Sequence, residues 1–438
     1  MPMVSLTHQR PRRGLLLAAL ALLGAPRGAA SGQEPIPAAS ALALPLARAQ
    51  ARARDVSAEL TAARAAVAVA TARERQGAAF TNPMLSVQRE QTGASGASNS
   101  QVITSIDQPI EIAGTRSARL RVLALRRGIA EAELVASEQR LDFVVAQAAA
   151  QLLAAERRAV LSRLASDEFA NARATSDARF AAGDISGYTF RRIRLEAARY
   201  ASLHAEAALA QRTAHRALAR LLNLPADSLL RVTVGDSDAR TASGRLVRDD
   251  SLRALATLHR PDLRAAMLGA DAARAEIGLA RRERLPLVRL TAGIKNEEVT
   301  GGPSRSGFVV GLALPLPLWD RNAGAIDVAG ALTDVRLAEV DALRRRVVSE
   351  VSDAADAVRA MDAQLAVLRP QLGPESEHAL RASRVAYAEG EISLLEWLDA
   401  VRAYHEAEVG LVALDAEAII RRAALDRALG ISLSRTVP

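Results

Sequence analysis

Phe180-Ala-Ala-Gly183-Asp184-Ile185-Ser186 and Tyr387-Ala-Glu-Gly390-Glu391-Ile392-Ser393 are near copies of each other, 207 positions apart. The register continues without a gap to Leu218, Leu222 and Asn223-Leu224, which fall against Leu425, Leu429 and Gly430-Ile431. Both copies therefore end a helix alike, and the chain is a tandem duplication. Upstream, with small shifts, Glu59-Leu60 answers Asp262-Leu263, Asn82-Pro83 answers Leu285-Pro286, and Gln108-Pro109 answers Leu314-Pro315. Solenoid units run about 20–50 residues; this period is several times longer and implies two matched half-structures.

Ala, Leu and Arg dominate while aromatics are 3% of the 438 residues, the composition of long helices rather than of an all-β protein. Residues 1–30 carry Arg10, Arg12 and Arg13, an apolar run from Leu15 to Ala25, then Gly28-Ala29-Ala30, which reads as a secretory signal peptide cleaved near Ala30. The Arg12-Arg13 pair is a weak twin-arginine signal. Beyond residue 31 no window reaches the ~18–20 apolar residues of a membrane-spanning helix, so the mature chain is either soluble in the periplasm or embedded as a β-barrel. With no cysteine there is neither a disulfide framework nor a lipid-modified N-terminal Cys. The net charge of +8 rests on Arg interleaved with Glu and Asp along helical segments, the pattern of solvated helix faces and a poor one for nucleic-acid binding.

The first repeat spans 31–224. Residues 42–79 read as helix; Met84–Gln91 and Val102–Gln108 read as strands around a small-residue loop, Thr92–Ser100, giving a strand pair over 84–108. A long helical hairpin over 115–222 follows, turning at Gly183, with Ser186 as cap. A connector over 225–250 has Gly, Asp and Ser but no strong pattern. The second repeat, 251–431, has a helix over Pro261–Arg284 and a strand pair over 287–314 about the loop Asn296–Ser306. Its hairpin over 322–430 is interrupted at Pro370-Gln-Leu-Gly373-Pro374, and 432–438 form a tail. Val288, Leu290, Ala292 and Ile294 alternate with Arg289, Thr291, Gly293 and Lys295, and Phe308, Val310, Leu312 and Leu314 with Val309, Gly311 and Ala313. That length and alternation fit transmembrane β-strands. Four strands cannot close a barrel, and an open edge is not tolerated in lipid, so several chains must share one. The fold class is mainly α with a small β part, built of duplicated long-helix hairpins.

Asn82-Pro83 before a strand, Gln108-Pro-Ile-Glu-Ile-Ala-Gly114-Thr-Arg116 after it, Leu314-Pro-Leu-Pro-Leu-Trp319-Asp-Arg-Asn322 in the second copy, and the paired Gly turns form an ordered set. With it the whole mature chain resembles the TolC family of outer-membrane efflux channels. The form of the 82–83 and 108–116 segments looks most like the heavy-metal branch, which exports cations with a resistance-nodulation-division pump. The resemblance implies a homotrimer in outer-membrane lipid, its twelve strands forming one barrel continuous with a helical tunnel across the periplasm. It implies as partners a periplasmic adaptor and an inner-membrane pump. The adaptor would dock at the two tips, Gly183, Asp184, Ile185 and Ser186 with Gly390, Glu391, Ile392 and Ser393. Tyr387, Glu396 and Asp399 match family positions near the closed end of the tunnel, whereas the basic gate position falls on Ile392, which leaves no salt-bridged latch of the best-known kind.

Glu396 and Asp399 lie three apart on one helix face; pointed inward in a trimer they make an acidic ring, pointed outward they offset Arg402. Pro370 and Pro374 have no counterparts at Arg163 and Asp167, and would kink one hairpin only. His204, His215, His259, His378 and His405 lack ligand spacing, so neither a bound metal, a cofactor nor catalytic chemistry is expected. The reading is an export duct; a periplasmic coiled-coil adaptor or scaffold without a pore is the alternative.

Overall fold

The computed structural model describes residues 42–94, 97–226, 228, 230–233, 248–285 and 287–431. The signal-peptide and C-terminal-tail expectations lie outside them. In chain order the elements are β1 (Leu42–Pro45), α1 (Leu46–Val56), α2 (Ala58–Ala78), β2 (Met84–Ala94), β3 (Ala97–Ile110), α3 (Thr115–Ala181), α4 (Gly187–Leu221) and β4 (Leu230–Thr233). They continue with α5 (Asp249–His259), α6 (Pro261–Arg282), β5 (Val288–Val299), β6 (Arg305–Ala313), α7 (Ala323–Glu389) and α8 (Leu394–Leu429). The duplication is visible throughout: α1 and α2 match α5 and α6, each strand pair matches the other, and α3–α4 matches α7–α8. At ~1.5 Å per residue α3 and α7 are each roughly 100 Å long.

Helices this long survive because they pack along their length. In α3 the buried positions are largely alanine, with Ala146, Ala149 and Ala150 at most 2% exposed, and small side chains let a neighbouring helix approach closely. Leu218 and Leu222 of the first repeat and Leu425 and Leu429 of the second, the pairs that the 207-residue register aligns, are all at most 1% exposed. Each set sits in the same place, under α1 in one repeat and α5 in the other.

The four long strands form one antiparallel sheet in the order β2-β3-β5-β6, so that β3 and β5 stitch the two repeats together. One face runs through Leu85, Ile106, Ala292 and Val310, then Val87, Thr104, Ile294 and Phe308, across the ladder. Its apolar members are exposed, Phe308 at 86% and Val310 at 78%. The opposite face is polar: Thr291 donates to Asp107 at 2.5 Å, Gln101 to Glu90 at 2.5 Å, and Asn99 to Glu297 at 2.8 Å. Among the described residues, β2 and β6 each pair on one side only.

Four expectations are corrected. Residues 42–79 are not one helix: Leu42–Pro45 pair in parallel with Leu230–Thr233 inside the supposed patternless connector, and Ser57 breaks the remainder by capping α2 through Leu60 N–H. The Thr92–Ser100 loop is mostly strand, because Thr92 pairs with Asn99 and Ala94 with Ala97, while Ser98 is tied to Thr300 of the other repeat. The loop Asn296–Ser306 shortens too, since β5 continues to Val299 and β6 begins at Arg305. Helix α7 runs unbroken through Pro370 and Pro374; packing along α8 holds the helix where proline removes a backbone donor.

Six of the seven left-handed residues among those described fall in three pairs across the repeat, Gly114 with Asn322, Gly183 with Gly390, and Asn223 with Gly430, and the seventh, Gly301, lies between β5 and β6. Only Gly and Asn adopt this conformation readily. At Gly430 space also matters, because a Cβ would lie 2.7 Å from His259 O, whereas at Gly390 it would meet nothing within 4 Å. Both Gly390→Ala and Gly430→Ala should lose about 1 kcal/mol to the positive φ, and Gly430→Ala a further ~1–3 kcal/mol to the clash with backbone. Thermal and denaturant unfolding of the two variants side by side checks the order.

Candidate functional site

The tips of the two hairpins are built by one device used twice. At the end of α3, Gly183 N–H donates to Phe180 O at 3.0 Å and Asp184 N–H to Arg179 O at 2.9 Å. At the end of α7, Gly390 N–H donates to Tyr387 O at 3.1 Å and Glu391 N–H to Ala386 O at 2.8 Å. This is the Schellman arrangement, and it needs the left-handed glycine. Ile185 and Ile392 follow, half-buried, and then Ser186 and Ser393 cap the return helices, accepting from Thr189 N–H at 3.2 Å and Glu396 N–H at 3.3 Å. Gly183, Asp184, Ser186, Gly390, Glu391 and Ser393 are all exposed. The turns are thus rigid, solvent-facing and nearly identical.

An aromatic clasp closes each turn from behind: Phe180 stacks on Phe190 at 4.3 Å, and the corresponding Tyr387 on Trp397 at 5.2 Å. The clasps differ in burial. Trp397 is 7% exposed, packed with Leu394, Leu398 and Val401 against Phe169, Ile193, Ala197 and Tyr200 of the first repeat. Phe180 stays 43% exposed, and Arg194 stacks on Phe190 instead.

Tyr387, Glu396 and Asp399 come together beside this cluster, but each is already engaged. Glu396 accepts from Ser393 N–H at 2.7 Å, completing a reciprocal capping box. That hydrogen bond, with the Ser393 side chain, holds its carboxyl below the usual carboxylate value. Asp399 accepts from Arg402 at 2.7 Å and lies 3.9 Å from Arg192 of the first repeat. The spacing Ser393-Leu-Leu-Glu396 was a legible capping-box signal; the Arg192 partner was not, since only the fold brings the repeats together. Deeper along the hairpin, Tyr200 meets His405 edge-on at 5.5 Å, and burial lowers the His405 pKa. Burial first, then Glu408 and Glu377, raises that of Tyr404.

Two long helical hairpins joined through a sheet with one apolar and one polar face make a fold similar to that of solved outer-membrane channels. The model of the outer membrane efflux protein family matches residues 252–431 of this chain. It is 26% identical over 358 residues to the cobalt-zinc-cadmium resistance protein CzcC of Cupriavidus metallidurans, covering 81% of this chain and 82% of that one. It is 32% identical over 300 residues to the nickel-cobalt-cadmium resistance protein NccC of Alcaligenes xylosoxydans xylosoxydans, covering 63% of each. In fold it is similar to the solved structure of CusC, with a TM-score of 0.71 at 20% identity over 88% of this chain and 92% of that one.

The capping box separates two roles of Glu396. Ser393→Ala should cost about 1 kcal/mol of stability, while Glu396→Gln, which still accepts from Ser393 N–H but carries no charge, should lower the neutral-pH melting temperature slightly and leave the acid-pH value unchanged. The wild-type carboxyl binds its proton less readily folded than unfolded, so its contribution is complete above the ordinary value of 4.5 and is lost as pH falls through the folded value. Glu396→Gln should therefore flatten the acid side of a stability-against-pH curve measured by thermal unfolding.

Proposed function

We infer that this chain is the outer-membrane exit duct of a tripartite efflux system, passing small solutes delivered by an inner-membrane pump through a periplasmic adaptor. The observation that carries this reading is the four-stranded sheet with an exposed apolar face and two unpaired edges. Bilayer lipid satisfies the apolar face but cannot satisfy backbone N–H and C=O groups, which must find other strands. Three chains supply twelve strands, and β6 of one completes β2 of the next. The helical hairpins then gather about the same axis as a tunnel reaching into the periplasm. A scaffold without a pore would have no use for the outward apolar band.

The names of the relatives point to divalent metal cations as cargo, and the resemblance to the heavy-metal branch implies a resistance-nodulation-division pump as driver. A passive duct moves cations without a tight site. The adaptor docks on the two exposed Gly turns, the ends of the longest helices and the points farthest from the strands. Tyr387, Glu396 and Asp399 lie at the narrowest part of the tunnel, just inside those tips.

Outer-membrane fractions should yield a protein whose native mass is three chains; a stable soluble monomer would falsify the duct. Gly390→Val should abolish adaptor capture and metal export while leaving trimers in the membrane, because nothing lies within 4 Å of the added Cβ and the strain stays at the tip. Pull-down of the adaptor together with native electrophoresis of the same membranes checks both halves, and undiminished capture with normal export would move docking elsewhere.

A further inference from the structure

We propose that His405 is an acid-sensitive catch between the two hairpins, holding α8 on the first repeat while its imidazole is neutral and letting it go on protonation. Rings from three helices line up at that place. Phe169 of α3 stacks on Tyr200 of α4 at 4.2 Å, and Tyr200 meets His405 of α8 edge-on at 5.5 Å. Phe169 and Tyr200, 1% and 2% exposed, belong to the apolar cluster that joins the repeats, and His405 extends it one helical turn beyond Val401. The ring is therefore part of the joint and not of one hairpin alone. Its counterpart in the first repeat is Ala198, so the duplication did not supply it.

Nothing at the joint is arranged to receive a charge. His405 Nε2 is buried and has no hydrogen-bond partner among the described residues. The charged groups acting on Tyr200 are Glu196 and Arg199 of α4 with Arg402 and Glu406 of α8, two of each sign, and of these Glu406 alone acts on His405, more weakly than burial does. From α3 come Phe169 and Ser162, both uncharged, the latter 3.5 Å from His204 Nδ1. From α7, Glu377 acts on the neighbouring Tyr404 and not on His405. An imidazolium in this place loses its hydration with no acceptor in return. It regains water only when α8 draws away from α4.

The sign follows from burial. The held ring binds its proton less readily than the released one, so the joint is at full strength above the ordinary histidine value of 6.5 and loses strength as pH falls from there through the lowered value. Each chain takes up one proton on release. The ion pair of Arg192 with Asp399 near this joint is exposed and individually slight, so apolar burial carries the contact, and that burial is what an imidazolium opposes. One consequence rests on the exit-duct reading: hairpins that part at this level widen the periplasmic end of the tunnel, so an acid periplasm favours passage.

The chain has two tryptophans, and Trp397 is 7% exposed in the same cluster. With Trp319→Phe as background, the emission of Trp397 in the purified full chain reports on the joint directly. Titrated from about pH 8 to about pH 5, across the histidine range, acrylamide quenching of Trp397 should rise below pH 6.5. The ratio of held to released joint should fall by up to about tenfold per pH unit, the limit for one proton. His405→Phe, which keeps an edge-on ring, and His405→Gln, which keeps an uncharged polar group, should both flatten the curve, while His204→Gln should leave it as in the wild type. A flat wild-type curve, or one that persists unchanged in both His405 variants, would overturn the catch. In planar bilayers, acidification over the same range should raise the conductance of the wild type more than that of His405→Phe; equal responses would overturn the link to the tunnel. Absence of any channel with the Trp397 titration intact would overturn the exit-duct reading and leave the catch standing.

Discussion

Backbone hydrogen bonding at the two open edges of one small sheet sets the terms for the rest of the molecule. Among the described residues no helix is long and apolar enough to cross a membrane, and the sheet carries an exposed apolar face. A backbone N–H or C=O left unpaired in lipid costs several kcal/mol, and β2 and β6 each carry a full row of them. The long helices follow from that demand. Each strand pair is entered from α2 or α6 and left by α3 or α7, so drawing the strands around an axis draws those helices around it as well. On the trimeric reading proposed above, a tube of helices is then the continuation of a barrel of strands.

The duplication makes this geometry from a short set of local rules. Where the chain enters α3 and α7, and where it leaves each of the four long helices, it uses a left-handed residue, and the choice between Gly and Asn varies while the conformation does not. Gly183 and Gly390 stand in open space, so conformation alone asks for glycine there; Gly430 is pressed against the backbone of His259 and Arg260, so sterics ask for it as well. The aromatic clasps show the converse, with stacking kept and environment changed. Trp397 is buried where the chain meets itself, and Phe180 remains exposed where it meets nothing of its own. The two copies of one turn thus face different surroundings, because the second-repeat clasp packs on the first repeat and the first-repeat clasp has no such cover within the chain.

Much of this was legible in the sequence. The repeat, the hairpin turns at Gly183 and Gly390, the caps at Ser186 and Ser393 and the alternating strands after Val288 all rest on local patterns, and local patterns are what a sequence displays. What escaped was non-local. Leu42–Pro45 and Leu230–Thr233 are four-residue strands that exist only because they pair across most of a repeat. Small residues at 92–94 and 97–100 carry little β-propensity and are strand because β2 and β3 pair across the hairpin there, with β5 beside Asn99 and Ser100. Pro370 and Pro374 weaken a helix that lateral packing preserves. At the tip, the side-by-side placement of Glu396 and Asp399 was visible as spacing, but the cap that holds one and the Arg192 that faces the other depend on which helix ends and which hairpin returns.

That last pair shows what divergence of the repeats achieves inside one chain. Arg192 and Asp399 are each other's counterparts across the 207-residue register, so an undiverged duplication would set two arginines or two acids against each other there, and like charges at that distance repel. Divergence turns the contact into an attraction. Both side chains are partly exposed, so the pair is individually slight, and the apolar cluster of Trp397, Leu398 and Val401 against Ile193, Ala197 and Tyr200 carries most of the contact between the hairpins. The charge pair therefore sets which residues face each other, while burial supplies the strength.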